Sequence, residues 1–157
     1  VEDDWGASDR SSSVQYRGAQ PASEPETRYL QALLDMPGVL GVVDLHGFGC
    51  KIVLPNYPTK VPDADYQRSA KAMARALGSD YEILRYHDLY PITGHLAGYA
   101  DQHGVLGITL EVGKAFQPDP RRISTVTDGA VRGVLALART LLAMTKEDRS
   151  ISHTLGE

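Results

Sequence analysis

Two segments of the chain open on the same four residues, Gly-Val-Leu-Gly at 38–41 and at 104–107, and each runs on through apolar residues to an ionisable one. The first ends at His46 and the second at Glu111, and glycine follows within two positions in both cases, at Gly47 and Gly113. In open α/β sheets ligands bind outside the carboxyl ends of the strands. An imidazole and a carboxylate at neighbouring strand ends there can hold a metal and move a proton to and from water. The same two residue types have a plainer use: a histidine closing a core strand is often a hydrogen-bonded structural group, and a glutamate there often caps a helix or pairs with a cation. The pair alone leaves both readings open.

The elements that must position these residues follow from pattern. Residues 1–22 are polar and rich in Ser, Gly, Asp and Pro, which is loop composition, with Trp5 as the anchor of this leading loop. Ser23 and Glu26 form a capping-box pattern ahead of a helix over 24–36, with Leu30, Leu33 and Leu34 on its apolar face and Pro37-Gly38 as its stop. The run 39–46 reads as a strand buried on both faces, and 51–54 as a short second strand stopped by Pro55. Asp63 or Asp65 is expected to cap a helix ending at Gly78, with Ala72, Met73, Ala76 and Leu77 inward, and 81–86 reads as another strand. Residues 87–95 are irregular and lead into a short helix before Gly104. The run 105–111 is a second buried strand, and 113–120 is loop. Val131, Val134, Leu135, Ala138, Leu141 and Leu142 fall at helical spacing, with a tail over 147–157. Helices alternating with apolar strands give an α/β class with a mixed, largely parallel sheet flanked by helices.

Composition excludes several classes. The 157 residues suit one domain, and 42% hydrophobic with 23% charged residues is a globular balance. A net charge of −4 with no basic stripe argues against a nucleic-acid partner. No apolar run approaches the length of a membrane span. The single cysteine, Cys50, forms no internal disulfide and reads as a small core residue. The start at Val1, without methionine or an apolar leader, reads as a cut through a longer protein or a processed product.

Five blocks in order resemble the zinc metallocarboxypeptidases, the carboxypeptidase A-like family. Ser-Val-Gln-Tyr-Arg-Gly at 13–18, with Pro-Ala-Ser-Glu-Pro-Glu-Thr at 21–27, is similar to the segment following that family's substrate-binding Asn-Arg pair. Asp44-Leu45-His46-Gly47-Phe48-Gly49 resembles the strand bearing its third zinc ligand, and Leu54-Pro55 matches an apolar-proline step. Leu89-Tyr90-Pro91-Ile92-Thr93-Gly94 resembles the loop with the mobile substrate-binding tyrosine. Ile108-Thr109-Leu110-Glu111-Val112-Gly113, followed by Phe116 and Pro118, resembles the strand of the catalytic glutamate. The resemblance spans about residues 5–145. It implies one Zn2+ site with His46 as a ligand, and Glu111 as general base and acid. It implies Tyr90 closing over the terminal residue, and Thr109 and Ala97 near the pocket that reads the terminal side chain. The implied reaction is hydrolysis of a C-terminal peptide bond, with a peptide or protein C-terminus as substrate. The implied location is secreted or periplasmic. Ala97 at the pocket suggests a small or apolar terminal residue in place of Lys or Arg.

The resemblance also implies what lies elsewhere. The family's first two zinc ligands come from an upstream H-x-x-E, absent from this sequence, as are its carbonyl-polarising arginine and its Asn-Arg pair. A catalytic zinc needs three protein ligands. The remaining ligands are therefore expected upstream of Val1, and residues 1–157 read as the C-terminal half of a catalytic domain, inactive alone. Its partner would be that upstream half or a second copy. Local substitutes are poor: His95 and His103 lie about 12 Å apart along a helix, His87 and Asp88 suit an outer role, and His153 lies in the tail. Two other readings stay open. Glu111-Val112-Gly113-Lys114 also resembles the desuccinylase and aspartoacylase branch, and a non-catalytic peptide-binding module of the same fold would account for the missing motif.

Overall fold

The computed structural model describes residues 8–13, 16, 18–58, 60–89 and 94–154, with 146–154 as backbone. Trp5 and Tyr90 lie outside the described residues, as do Val14, Gln15 and Arg17 of the first family-like block and the side chain of His153. Four helices, α1 (Pro25–Leu34), α2 (Asp63–Leu77), α3 (Leu96–Gln102) and α4 (Ile123–Thr154), alternate with strands β1 (Gly41–His46), β2 (Lys51–Leu54), β3 (Glu82–Arg85) and β4 (Leu106–Glu111). The sheet order is β1-β4-β2-β3. β1 runs parallel to β4 and β2 parallel to β3, while β2 and β4 are antiparallel. The class is the mixed α/β arrangement expected.

Strand alternation sorts the side chains onto two faces. Ile52, Leu54, Leu106, Ile108 and Leu110 pack against Tyr66, Ala70 and Met73 of α2 and Ala130 and Leu137 of α4. The opposite face receives α3 and the end of α1: Leu34, Ala100 and Val105 form one cluster, and Val53, Tyr86 and Ala97 another. β4 is buried on both faces, as its apolar run predicts. β1 departs from that expectation. Among the described residues it pairs only with β4, and as an edge strand it leaves Leu45 56% exposed. An apolar run reports what a strand can bury; its place in the sheet decides what it does bury.

Other local expectations also shift. The Ser23–Glu26 capping box does not form, because the Ser23 hydroxyl donates to the Glu24 carboxylate at 2.6 Å and Glu24 is the N-cap. The loop is tied to α1 instead by the Arg28 guanidinium, which donates to the carbonyls of Ala22 and Ser23. Leu34 alone of the three α1 leucines is buried. Neither Asp63 nor Asp65 caps α2; Pro62 is the N-cap and Asp63 pairs with Arg85. The inward face of α2 is Tyr66, Ser69, Ala70 and Met73. α4 is turned by about a residue: Ala130 and Leu137 are buried, while Val131, Leu135 and Leu142 are exposed. Gly133 accounts for this, since a Cβ there would sit 2.9 Å from Leu77 of α2, so the small-residue stripe is what lets the two helices meet. The tail expected over 147–157 is helical backbone through Thr154, because no glycine or proline interrupts the chain between Gly133 and Gly156.

Candidate active site at the ends of β1 and β4

The parallel register places His46 directly beside Glu111, and one step back it places Asp44 beside Thr109. Residues two apart share a face, so all four side chains leave the sheet on the α3 side. His46 Nδ1 lies 3.9 Å from Glu111 Oε1, too long for a direct hydrogen bond. His46 Nε2 lies 3.0 Å from Asp44 Oδ2. The backbone locks the pair, as Val112 N–H donates to the His46 carbonyl at 2.8 Å. Beyond the strand ends, the Gly113 carbonyl accepts from Gly49 N–H, Cys50 N–H and the Cys50 thiol. Gly113 takes a φ of +71°, which suits a residue without Cβ. The two loops clamped there carry Phe48 and Phe116, whose rings meet edge-on with centroids 4.7 Å apart.

Burial differs sharply across the pair. The His46 side chain is 52% exposed and that of Glu111 is 20% exposed. Burial raises the Glu111 carboxyl above the ordinary glutamate range; the neighbouring Asp44 charge adds to this, while His46 and Lys51 oppose it. A carboxylate moved in that direction is better matched to proton exchange near neutral pH.

Thr109 is fully buried and shares a hydrogen bond with the Tyr86 hydroxyl. Tyr86 stacks on His95, ring centroids 3.7 Å apart. Ala97 is buried with Val53 and Tyr86, its backbone against Gly107, so Thr109 and Ala97 belong to one layer behind the His46–Glu111 pair. Three other histidines, His95, His103 and His87, have structural positions. His95 Nδ1 accepts from Gly98 N–H at the start of α3, and burial lowers its pKa. His103 Nδ1 lies 2.9 Å from the Tyr99 carbonyl, and His87 Nδ1 lies 3.0 Å from Asn56 Oδ1. Lys114 pairs with Asp80 at 2.7 Å. A cavity of about 440 Å³ is lined by Cys50, Tyr81, Gly113, Lys114 and Arg122 among others, and by neither His46 nor Glu111.

Asp44 is the site residue that pattern reading passed over. The signal was present, since a carboxylate two residues before a strand-end histidine must share its face. Tyr86 and His95 gave no such signal, because a stack of two rings from different loops has no sequence period.

For zinc, the donors present fit one side of a site. His46 offers a half-exposed imidazole beside a carboxylate, but among the described residues no group of three His, Cys, Asp or Glu is placed to hold a metal. Three protein ligands would be needed.

A mixed sheet covered by helices brings an imidazole and a carboxylate to adjacent carboxyl ends of β1 and β4. The family described as zinc carboxypeptidase matches residues 2–132, and the chain belongs to that family. Zinc dependence is a property of that family. Among solved structures, carboxypeptidase A from Helicoverpa armigera aligns at TM-score 0.72 and 24% identity, over 89% of this chain and 39% of that one. Bovine thrombin-activatable fibrinolysis inhibitor, in complex with tick carboxypeptidase inhibitor, aligns at 0.74 and 21%, over 88% and 52%. A further structure of thrombin-activatable fibrinolysis inhibitor aligns at 0.75 and 21%, over 88% and 38%. At these identities the likeness is one of fold. The chain spans between about two fifths and one half of these structures. Comparison with curated protein sequences gave no significant match. Among the described residues no helix is long and apolar enough to cross a membrane.

Proposed function

We propose that this chain is the C-terminal half of a metallocarboxypeptidase catalytic domain, and that the whole protein hydrolyses C-terminal peptide bonds. The observation that carries the reading is the adjacency of His46 and Glu111 in register at the open end of the sheet, in a chain of this family. His46 would hold the zinc through one nitrogen. When bound, zinc supplies Lewis-acid activation of water and of the scissile carbonyl. Glu111 takes a proton from water and returns it to the leaving amine, and its partial burial between β1 and β2 favours that exchange. Tyr90 closes on the terminal residue, and the Thr109–Ala97 layer backs the pocket for its side chain, small or apolar. The remaining zinc ligands would come from beyond the β1 edge, the side on which no described strand pairs with it. The partner is accordingly the upstream half of the domain, or a second copy placed along that edge, and the location a secreted or periplasmic one.

The acyl-amino-acid reading rests on the stretch Glu111-Val112-Gly113-Lys114, in which Lys114 is exposed and pairs with Asp80, an ordinary surface use of that lysine. The test is expression of the protein together with its upstream sequence, with zinc content and release of C-terminal residues measured for wild type and Glu111→Gln. One zinc per chain and a rate loss of about 10²- to 10⁴-fold in the variant are expected. Full activity in Glu111→Gln, or an upstream sequence without an H-x-x-E, overturns the proposal.

A further inference from the structure

We propose that Asp44 is a positioning residue that sets the tautomer and orientation of His46, keeping the proton on Nε2 and the lone pair of Nδ1 toward Glu111. This rests on the reading of His46 as a ligand but is tested separately from it. Asp44 Oδ2 approaches Nε2 to 3.0 Å, and a nitrogen and a carboxylate oxygen at that distance attract only if the nitrogen carries hydrogen. Glu111 competes for a proton on the other nitrogen, but from 3.9 Å, beyond hydrogen-bond reach. The nearer carboxylate wins. The arrangement is set by the strand itself: Asp44 and His46 are two residues apart on one face of β1, so the ring cannot turn outward without leaving the carboxylate. Asp44 is 29% exposed on its side chain and lies on the same face of the sheet as His46, in register with the buried Thr109, so it faces into the site. A carboxylate on the second nitrogen of a metal-binding imidazole fixes ring orientation, and its loss typically costs 10- to 100-fold in metal affinity.

The first measurement needs no metal. In the ¹⁵N-histidine-labelled chain, held well above the usual histidine range of pH, ¹⁵N shifts report which ring nitrogen of His46 carries hydrogen, the signal being assigned by its loss in His46→Gln. A single Nε2–H form is expected in wild type, and a mixture of the two forms in Asp44→Ala; Asp44→Leu, with no acceptor, carries the same comparison should the alanine variant fold poorly. An unchanged tautomer population overturns the proposal. The second measurement is zinc affinity of the protein with its upstream sequence, where Asp44→Ala should weaken binding about 10- to 100-fold. A zinc affinity within twofold of wild type also overturns it. Absence of zinc binding by the wild-type protein would instead sink the proposed function, leaving the tautomer result to decide the role of Asp44.

Discussion

Gly107→Ala and Gly129→Ala are the same chemical change with opposite expected signs. Gly107 lies in β4 on the α3 face, and a Cβ built there would stand 2.6 Å from Ala97 Cα, 2.8 Å from the Ala97 carbonyl oxygen and 3.0 Å from Ala100 Cβ. Carbon atoms in contact prefer about 3.5–4.0 Å, so α3 would have to retreat from the sheet by roughly 1 Å. Two of the three clashing atoms are backbone, so no rotamer change relieves them. Overpacking of this kind costs about 1–3 kcal/mol. At ~2–4 °C per kcal/mol for a domain of this size, melting should fall by roughly 2–12 °C. Gly129, inside α4, has nothing nearer its Cβ than the Arg132 guanidinium at 3.8 Å. There the better helix propensity of alanine should add about 0.5–1 kcal/mol. Thermal melting and urea titration of the two variants beside wild type give the comparison. If Gly107→Ala unfolds within about 0.5 kcal/mol of wild type, the close seating of α3 on β4 is wrong, and with it the layer of Ala97, Tyr86 and Thr109 behind the site.

Three further outcomes follow from the same geometry. Thr109→Val keeps the shape of a fully buried side chain and removes its hydrogen bond with Tyr86, so a loss of about 0.5–1.5 kcal/mol is expected in denaturant titration; an unchanged midpoint would refute that bond. Because the folded-state pKa of Glu111 is raised, the folded metal-free chain holds this proton more tightly than the unfolded chain. Its contribution is therefore complete below the ordinary glutamate pKa of about 4.3 and is lost as pH rises through the folded value. Glu111→Gln should abolish that part of the slope, gaining on wild type as pH rises; a parallel pH–stability curve would contradict the burial argument. Lys114→Ala removes one half of an exposed pair with Asp80 and should leave melting and peptide release unchanged, whereas a loss of activity would restore the acyl-amino-acid reading.

The parts of the fold legible in the sequence were those decided locally. β4 reads as a buried strand because five of its six residues are apolar or small and it lies between two partners. β1 has nearly the same run, yet its exposure depends on a pairing partner that no local pattern names. The same limit explains α4. Its leucine and valine spacing predicts a helix correctly, and Leu141 packs on the core, but the inward face is set about a residue off, leaving Val131, Leu135 and Leu142 exposed, because the contact with α2 is chosen by Gly133 and Ala130, whose small size matters only once Leu77 is opposite. The Ser23 cap failed through competition, since the carboxylate next door satisfies the hydroxyl first. In the site, the shared Gly-Val-Leu-Gly openings anticipated that His46 and Glu111 end equivalent strands, and the register joins them. Tyr86 and His95 were beyond reach, because their stack depends on how two loops fold over Thr109.

The unequal burial of the two site residues follows from sheet position and bears on the division of labour proposed for them. Glu111 has a strand on each side, β1 and β2, and its carboxyl is desolvated enough to be raised. His46 stands on the edge strand, half exposed, with Asp44 behind it and no further strand beyond among the described residues. A group that must exchange protons near neutrality gains from desolvation, which moves a carboxyl toward that range. A group that must share a metal with donors from elsewhere gains from an open front. Exchanging the two residue types between these positions would put the imidazole where desolvation disfavours its charged form and the carboxylate where water keeps its pKa low. His46→Glu combined with Glu111→His should therefore restore neither zinc binding nor turnover in the protein with its upstream sequence, although both side-chain types remain at the same two strand ends. Recovery of either function to near the wild-type level would mean that residue type alone suffices and that the edge and interior positions are equivalent.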